Sequence, residues 1–261
     1  MESLIIETEA APGIVRLTMN RPAARNALNA AMIESLSAAI ARHAALEATR
    51  VLLLAAAGTA FCAGADIAEM RAQGGASARE NRADALRLAR MLASLRDSPK
   101  PSIACVQGPA YGGGLGLAAA CDIAIASTTA SFRLPEVRLG LVPAVISPYV
   151  IEAIGPRRAR RYFLSGEVID APTAKAIGLV HESVAADELA ATALALGREI
   201  KLGGPQALAA AKSLIAEVGH AAPNAALAVR TADILAELRA GTEAQEGLAA
   251  ALARRPSSWC A

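Results

Sequence analysis

The chain has 261 residues, of which 54% are apolar, and its formal net charge is only +2. A chain of this length and composition can bury a large core, either as one domain or as one domain with a small appendage. Aromatic residues make up 3% of the sequence and there is no basic stripe, so the chain lacks the features of nucleic-acid-binding proteins. Nucleic acid is therefore not expected as a partner.

Strand-like and helix-like patterns alternate over the first half of the chain. Apolar runs predict strands at residues 4–7, 14–19, 51–55, 102–106 and 123–126. Apolar residues spaced three and four apart predict helices at 29–45 and 79–95. The alternation predicts an α/β core.

From about residue 145 onward the pattern is almost wholly helical, interrupted by glycine and proline turns, with one candidate strand at 178–182. Alanine dominates these helices. Because alanine buries little area, a lone helical tail of this kind would be marginally stable. Packing against a partner subunit would offset this, so we expect a homo-oligomer.

No targeting or membrane signal is found. The first residues alternate apolar and polar side chains and lack a basic leader, and no uncharged apolar stretch is long enough to span a bilayer. A cytoplasmic protein without a membrane partner is expected. The four cysteines are far apart and are expected to be reduced, and His43, His181 and His220 share no metal-ligand spacing, so no metal is expected.

Two glycine-rich turns indicate the chemistry. One contains Gly112, Gly113 and Gly114, and the other spans residues 58–70, where Ala63 and Ala65 flank a glycine and Asp66 is a candidate helix cap. Neither turn has the glycine spacing of a dinucleotide site or the Gly-Lys-Ser/Thr of a P-loop. An ordinary strand-to-helix turn is the alternative in each case, but two such turns can converge on an acyl oxyanion.

Glu136 follows Gly116 by twenty residues and could move a proton beside such an oxyanion. One carboxylate can add water to an α,β-unsaturated thioester by activating the water and then protonating the α carbon. It can equally move a proton between the α and γ carbons. The residues alone leave hydration and isomerisation open.

Four sequence blocks resemble the motifs of the crotonase family, the enoyl-CoA hydratases and isomerases. They occur in the family's order and are NRPAARNALN, FCAGADIAEM, GPAYGGGLGLAAACD and LPEVRLGLVP. The resemblance covers essentially the whole chain. It implies a core of repeated ββα units, placed here at residues 1–200, and a helical region at 201–261 that forms a trimer or a dimer of trimers.

The resemblance also implies a set of site residues. The amides of Ala65 and Gly113 would form the oxyanion hole, with Gly112 beside them, and Glu136 would be the acid/base. Coenzyme A, bound as part of the substrate and with no separate cofactor, would run along Ala63, Ala65, Asp66, Ile67 and Ala68. Arg25 would lie near its phosphates, and Arg254 would approach from a neighbouring subunit. For both arginines, a solvated surface charge is the alternative.

Two departures bear on the reaction. Gly116 stands where a typical two-glutamate hydratase has its first glutamate, so only Glu136 remains. The segment around Glu136 resembles bacterial hydratases of branched glutaconyl thioesters, which favours a hydratase over an isomerase. The distal carboxylate of such a substrate would bind Arg133, Arg138 or the helix start at 146–149, although Arg133 could instead cap or pair locally. A non-catalytic acyl-CoA-binding protein is the alternative from another class.

Overall fold

The structure is a computed structural model that describes residues 3–72, 75–219 and 221–260. His220 therefore lies outside the described residues. The strands are β1 (Ile5–Ala11), β2 (Ile14–Met19), β3 (Val51–Ala56), β4 (Ser102–Val106), β5 (Ala110–Tyr111), β6 (Ile123–Ser127), β7 (Ser131–Arg133), β8 (Val168–Asp170) and β9 (Glu182–Val184).

Helices follow most of these strands. They are α1 (Ala30–Ala45), α2 (Ile67–Ala72), α3 (Ala78–Arg96), α4 (Gly113–Ala120), α5 (Ser147–Ser165), α6 (Ala171–Ile177), α7 (Leu189–Lys201), α8 (Pro205–Val218), α9 (Ala225–Ala240) and α10 (Thr242–Leu252). All five predicted strands and both predicted N-terminal helices are present, and β1 extends beyond its predicted end to Ala11. The α/β prediction is confirmed.

A six-stranded sheet of order β1-β2-β3-β4-β6-β9 forms the centre of the fold. β1 and β2 are antiparallel, and the other neighbouring pairs are parallel. The first four residues of β3 are all buried, as expected for a parallel strand that is covered on both faces. Successive residues alternate between two cores: Leu52 packs on the side of α1 and α3, whereas Leu53 packs on the side of α7.

The close approach of α7 to the sheet depends on a glycine. A Cβ at Gly197 would lie 3.3 Å from Cδ1 of Ile14 and 3.7 Å from Cγ1 of Val51, so a larger side chain would push the helix outward. Leu189 and Ala193 of the same helix are buried on this face. α7 is therefore part of the core, and it ends at Lys201, next to the predicted boundary between core and tail. That division of the chain stays a prediction.

A second sheet of order β5-β7-β8 brings distant turns together. β5 and β7 are parallel, with Tyr111 opposite Arg133, so the residues after both strands emerge at one edge. The Gly112 amide donates to the Arg133 carbonyl at 2.8 Å. This sheet therefore places the triple-glycine turn next to the segment that carries Glu136.

The sequence pattern did not predict the three strands of this second sheet, because runs of two or three residues are too short to show a period. The expectation of an almost wholly helical second half is accordingly wrong at β8. The strand expected at 178–182 forms later, at Glu182–Val184. Gly178, with φ +87°, caps α6, and the chain can enter the sheet only after that turn.

The last helices bury few side chains in the isolated chain. α8 and α9 have no buried residue, and in α10 only Ala250 is buried among the described residues. Large apolar side chains are exposed instead, including Leu235 and Leu252. Among the described residues no helix combines the length and the apolar character needed to cross a membrane.

Candidate active site

The two glycine-rich turns lie against each other. Cys62 forms a bridge with Ala110 in β5, and a Cβ at Gly64 would lie 2.9 Å from the Tyr111 carbonyl oxygen. Gly64 has φ +94° and Gly112 has φ +48°, so both positions also require the backbone freedom of glycine. The contact between the turns sets the positions of the amides that follow them.

The Ala65 and Gly113 amides are both available as donors. Leu28 donates to the Gly64 carbonyl at 2.8 Å and accepts from the Asp66 amide at 3.1 Å, which leaves the Ala65 amide between them unused. Gly113 is the first residue of α4, where amides have no partner within the helix. Among the hydrogen bonds of the described residues, neither amide donates to a protein acceptor. Two such donors can stabilise a developing oxyanion.

Glu136 begins a short 3₁₀ helix, Glu136–Leu139, just after the second sheet. A Cβ at Gly112 would lie 2.9 Å from Oε1 of Glu136, so the carboxylate lies directly against this glycine. Oε2 is buried and has no hydrogen-bond partner among the described residues. Burial raises the pKa of Glu136 above the ordinary value of 4.5, and a hydrogen bond from its own backbone amide opposes this only in part.

A cavity of about 330 Å³ joins these groups. Its wall contains Ala63, Gly64, Ala65, Asp66 and Ile67 of the first turn, Gly112 and Gly113 of the second, and Glu136, together with apolar side chains that include Ile33, Leu88, Leu141, Val142 and Ile146. Its ionisable lining residues among the described part of the chain are Asp66, Glu69, Asp84 and Glu136, all of them acidic. The cavity can thus hold an apolar chain beside a single unpaired carboxylate.

Three of the four acidic residues are engaged elsewhere. Asp66 pairs with Arg21 at 2.6 Å, Asp84 pairs with Arg87 at 2.5 Å, and Glu69 accepts from the Ala30 amide at 3.2 Å. Glu136 is the exception in this wall. Its place in the same cavity wall as Ala65 and Gly113, together with an Oε2 that has no hydrogen-bond partner among the described residues, makes Glu136 the candidate for proton transfer.

Asp66 caps the helix that follows it, as predicted. Its Oδ1 accepts from the amides of Ala68 at 3.1 Å and Glu69 at 3.2 Å. The hydrogen bond from Arg21 is the main cause of a lowered pKa of Asp66. The sequence analysis missed Arg21, although its place in the NRPAARNALN block was the signal that could have identified it.

The predicted coenzyme A residues are partly gathered at the cavity. Arg25 is exposed with φ 50°, and its carbonyl accepts from the Ala63 amide at 2.9 Å, which places it at the first turn. Ala68 is not itself in the cavity wall, although its neighbours Ile67 and Glu69 are. Arg254 is exposed after α10 with φ 52° and is not in this wall. The binding roles of these residues stay predictions.

The arginines considered for a distal carboxylate have other contacts. Nε of Arg133 donates to the Gly166 carbonyl at 2.7 Å, and Arg138 donates to the Ser165 carbonyl at 3.1 Å. Neither lines the cavity. The structure therefore offers Arg133 no contact with the acyl site, and a substrate role for it stays a prediction.

A larger cavity of about 680 Å³ lies near Asp122. Asp122 accepts from the Ser102 amide and from Lys212, each at 2.7 Å, so its carboxylate has a structural role. Arg96 and Glu152, also in its wall, pair at 3.2 Å. Two of the three acidic side chains in its wall, Asp122 and Glu152, are thus ion-paired, and its wall contains neither Ala65 nor Gly113.

The other cysteine and histidine side chains considered among the described residues are buried or have structural contacts. Burial raises the pKa of the Cys62 thiol to about 12, so it is not a thiolate at neutral pH. The ring of His43 contacts Thr49 and Glu7, and His181 accepts from the Ala124 amide. Within the described ranges, no three histidine, cysteine or acidic residues are grouped to hold a metal ion.

Comparison with known proteins identifies the family. The family model described as enoyl-CoA hydratase/isomerase matches residues 9–261. The chain belongs to the enoyl-CoA hydratase/isomerase family. As a member it is an acyl-CoA-processing enzyme of the enoyl-CoA hydratase type, and the crotonase resemblance drawn from the four sequence blocks is confirmed.

Individual relatives of the family cover nearly the whole chain. A probable enoyl-CoA hydratase of Rhizobium meliloti is 36% identical over 99% of this chain and 98% of its own length. The 2,3-dehydroadipyl-CoA hydratase of Escherichia coli is 34% identical, covering 98% and 97%. The crystal structure of an enoyl-CoA hydratase from Shewanella pealeana superimposes with a TM-score of 0.94 at 38% identity, covering 98% and 96%.

Proposed function

We propose that the protein adds water to α,β-unsaturated acyl-CoA thioesters, with Glu136 as its single acid/base and the amides of Ala65 and Gly113 as the oxyanion hole. The observation that carries the proposal is the buried Oε2 of Glu136, which has no hydrogen-bond partner among the described residues, in the same cavity as two amides that donate to no acceptor of those residues. An amide of this kind is typically worth about 3 kcal/mol of barrier lowering.

The chemistry follows from this arrangement. The thioester carbonyl binds between the two amides, which stabilise the enolate that forms when a nucleophile reaches the β carbon. Glu136 takes a proton from water as the water oxygen bonds to the β carbon. It then returns that proton to the α carbon, so one carboxylate serves both steps.

The decisive experiment replaces Glu136 with glutamine. Glu136→Gln keeps the shape of the side chain but removes the base, so we expect kcat for hydration to fall by about 10³-fold while acyl-CoA binding persists. Asp84→Asn, which changes a paired carboxylate in the same wall, should lose far less. Near-normal hydration by a folded Glu136→Gln protein would refute the proposal.

Assays of the wild-type protein distinguish hydration from the two rival functions, double-bond isomerisation and non-catalytic binding. Double-bond isomerisation uses one carboxylate as well, and Gly116 leaves α4 without a second one. In labelled water, a hydratase should convert the α,β-unsaturated thioester to a stable labelled hydroxyacyl product and leave the β,γ-unsaturated isomer unchanged. An isomerase should convert the β,γ-unsaturated thioester to the α,β-unsaturated one and form no hydroxyacyl product. Tight binding of enoyl thioesters with no turnover of any of them would instead indicate a non-catalytic binding protein.

For the acyl group, the cavity favours an uncharged chain over a branched glutaconyl-type one with a distal carboxylate. No arginine or lysine of the described residues is in its wall, and a buried carboxylate without a partner is costly. We expect 2-hexenoyl-CoA to be hydrated with at least about tenfold higher kcat/KM than 2,3-dehydroadipyl-CoA, the substrate named for one relative, which differs from it by the terminal carboxylate. Equal rates would contradict this expectation.

A further inference from the structure

Gly116 lies on the reactive face of α4. Residues three and four positions apart share a face of a helix, so Gly116 is on the side of Gly113, whose amide is free, and of Gly112, against which Oε1 of Glu136 packs. A side chain at position 116 would project from this same face, one turn beyond the oxyanion donor.

Ile146 occupies the space such a side chain would need. A Cβ built at Gly116 would lie 2.8 Å from Cβ of Ile146 and closer still to its Cγ2. These are atoms next to the backbone of a branched side chain, so they cannot swing away as the end of a long side chain could. Ile146 is only 3% exposed, immediately precedes α5 and also lines the cavity. It therefore stands between Gly116 and the cavity.

We infer that Ile146 determines which acid/base groups the active site contains. It fills the volume that a side chain at position 116 would need in order to enter the cavity, and so keeps the site limited to the Glu136 carboxylate. The inference rests on the proposed role of Glu136. In that role, Glu136 both removes the proton from water and delivers the proton to the α carbon, and α4 contributes no acid or base to the site.

The contact between positions 116 and 146 is tested by a double-mutant cycle in which Tm is measured. Gly116→Ala should lower Tm by roughly 3 to 8 °C, because even one methyl group overpacks the contact with Ile146. In an Ile146→Ala background the same change should cost less than half as much. Val150→Ala is the matched control, since Val150 is a buried residue of α5 that is not among the nearest neighbours of a Cβ at Gly116, and in that background the full loss should remain.

The chemical part is tested by installing a second acid. Gly116→Glu alone should be strongly destabilised, whereas Gly116→Glu combined with Ile146→Ala should regain Tm relative to it. The pH profile of kcat/KM for this double variant should show an additional ionisation that neither the wild-type protein nor Ile146→Ala shows. Loss of packing alone would not add an ionisation to the pH profile.

Three results would overturn the inference: equal costs of Gly116→Ala with and without Ile146, a Gly116→Glu protein as stable as the wild type, or a folded double variant whose pH profile is unchanged. Failure of the proposed function would give a different result. In that case Glu136→Gln would keep its hydration activity, while the coupling in Tm between positions 116 and 146 would be unaffected.

Discussion

The role proposed for Glu136 depends on where its two carboxylate oxygens lie. Oε1 is next to Gly112, and Oε2 is buried without a partner, so burial favours the protonated acid and raises the pKa. Activation of water requires the ionised form. The same burial that makes the carboxylate a better base therefore also shifts the pH at which it becomes available.

A pH profile of kcat/KM should show this shift. Activity should rise with pH as Glu136 ionises, and the midpoint of the acid limb should lie above 4.5, the ordinary value for a glutamate carboxyl. Initial rates on 2-hexenoyl-CoA across pH 4 to 8, with stability checked at each pH, would measure it. An acid limb at or below the ordinary value would contradict the inferred burial of this group in solution.

At the scale of the elements, the Arg50 side chain joins the C-terminal end of the chain to the central sheet. Arg50, just before β3, donates to the Gly203 carbonyl at 2.6 Å, the Trp259 carbonyl at 3.1 Å and the Lys201 carbonyl at 3.3 Å. The indole of Trp259 in turn donates to the Leu202 carbonyl at 2.9 Å. These bonds hold the end of α7 and the chain terminus on the start of the central strand.

Removal of this attachment should destabilise the fold. Arg50→Met keeps much of the apolar stem but removes the donors, and we expect it to lower the free energy of unfolding by about 2 kcal/mol, as for charged hydrogen bonds. Urea unfolding would measure the change. Arg239→Met, at an exposed position of α9, is the control and should stay within about 0.5 kcal/mol of the wild type.

At the scale of the whole molecule, the helices α8 to α10 leave apolar side chains in solvent. Leu235 is 56% exposed and Leu252 is 89% exposed, and the helices contribute almost nothing to the core of their own chain. Such surfaces are typical of subunit interfaces. The expectation of a trimer or a dimer of trimers, drawn from the sequence, stays a prediction.

Light scattering coupled to gel filtration would test it. The chain has a mass of 26.6 kDa, so a trimer should appear at about 80 kDa and a dimer of trimers at about twice that mass. Leu235→Asp should shift the protein toward smaller species by placing a charge in the interface. Val168→Asp, at a residue of β8 that is 53% exposed, should leave the assembly unchanged. A monomeric wild-type protein would contradict the prediction.

The parts of the fold that could be predicted from the sequence are those with a sustained local pattern. Buried parallel strands such as β3 and amphipathic helices such as α1 repeat their apolar residues over enough positions to be recognised. The cap at Asp66 could be predicted for the same reason, because a cap is a contact within four residues. The strands β5, β7 and β8 could not, since each is defined by its partner more than by its own sequence.

The sequence by itself determined the α/β pattern, the two glycine turns, the single glutamate in its motif and, through those motifs, the family. Only the tertiary structure decided that Gly64 packs on Tyr111, that the β5–β7 pairing places Glu136 beside Gly112, that Arg133 points to Gly166, and that Ile146 fills the space at Gly116. The physical reason is distance along the chain. Propensity and periodicity act between near neighbours, whereas these contacts join segments 22 to 47 residues apart, and they are selected by close packing and hydrogen bonding in the folded chain.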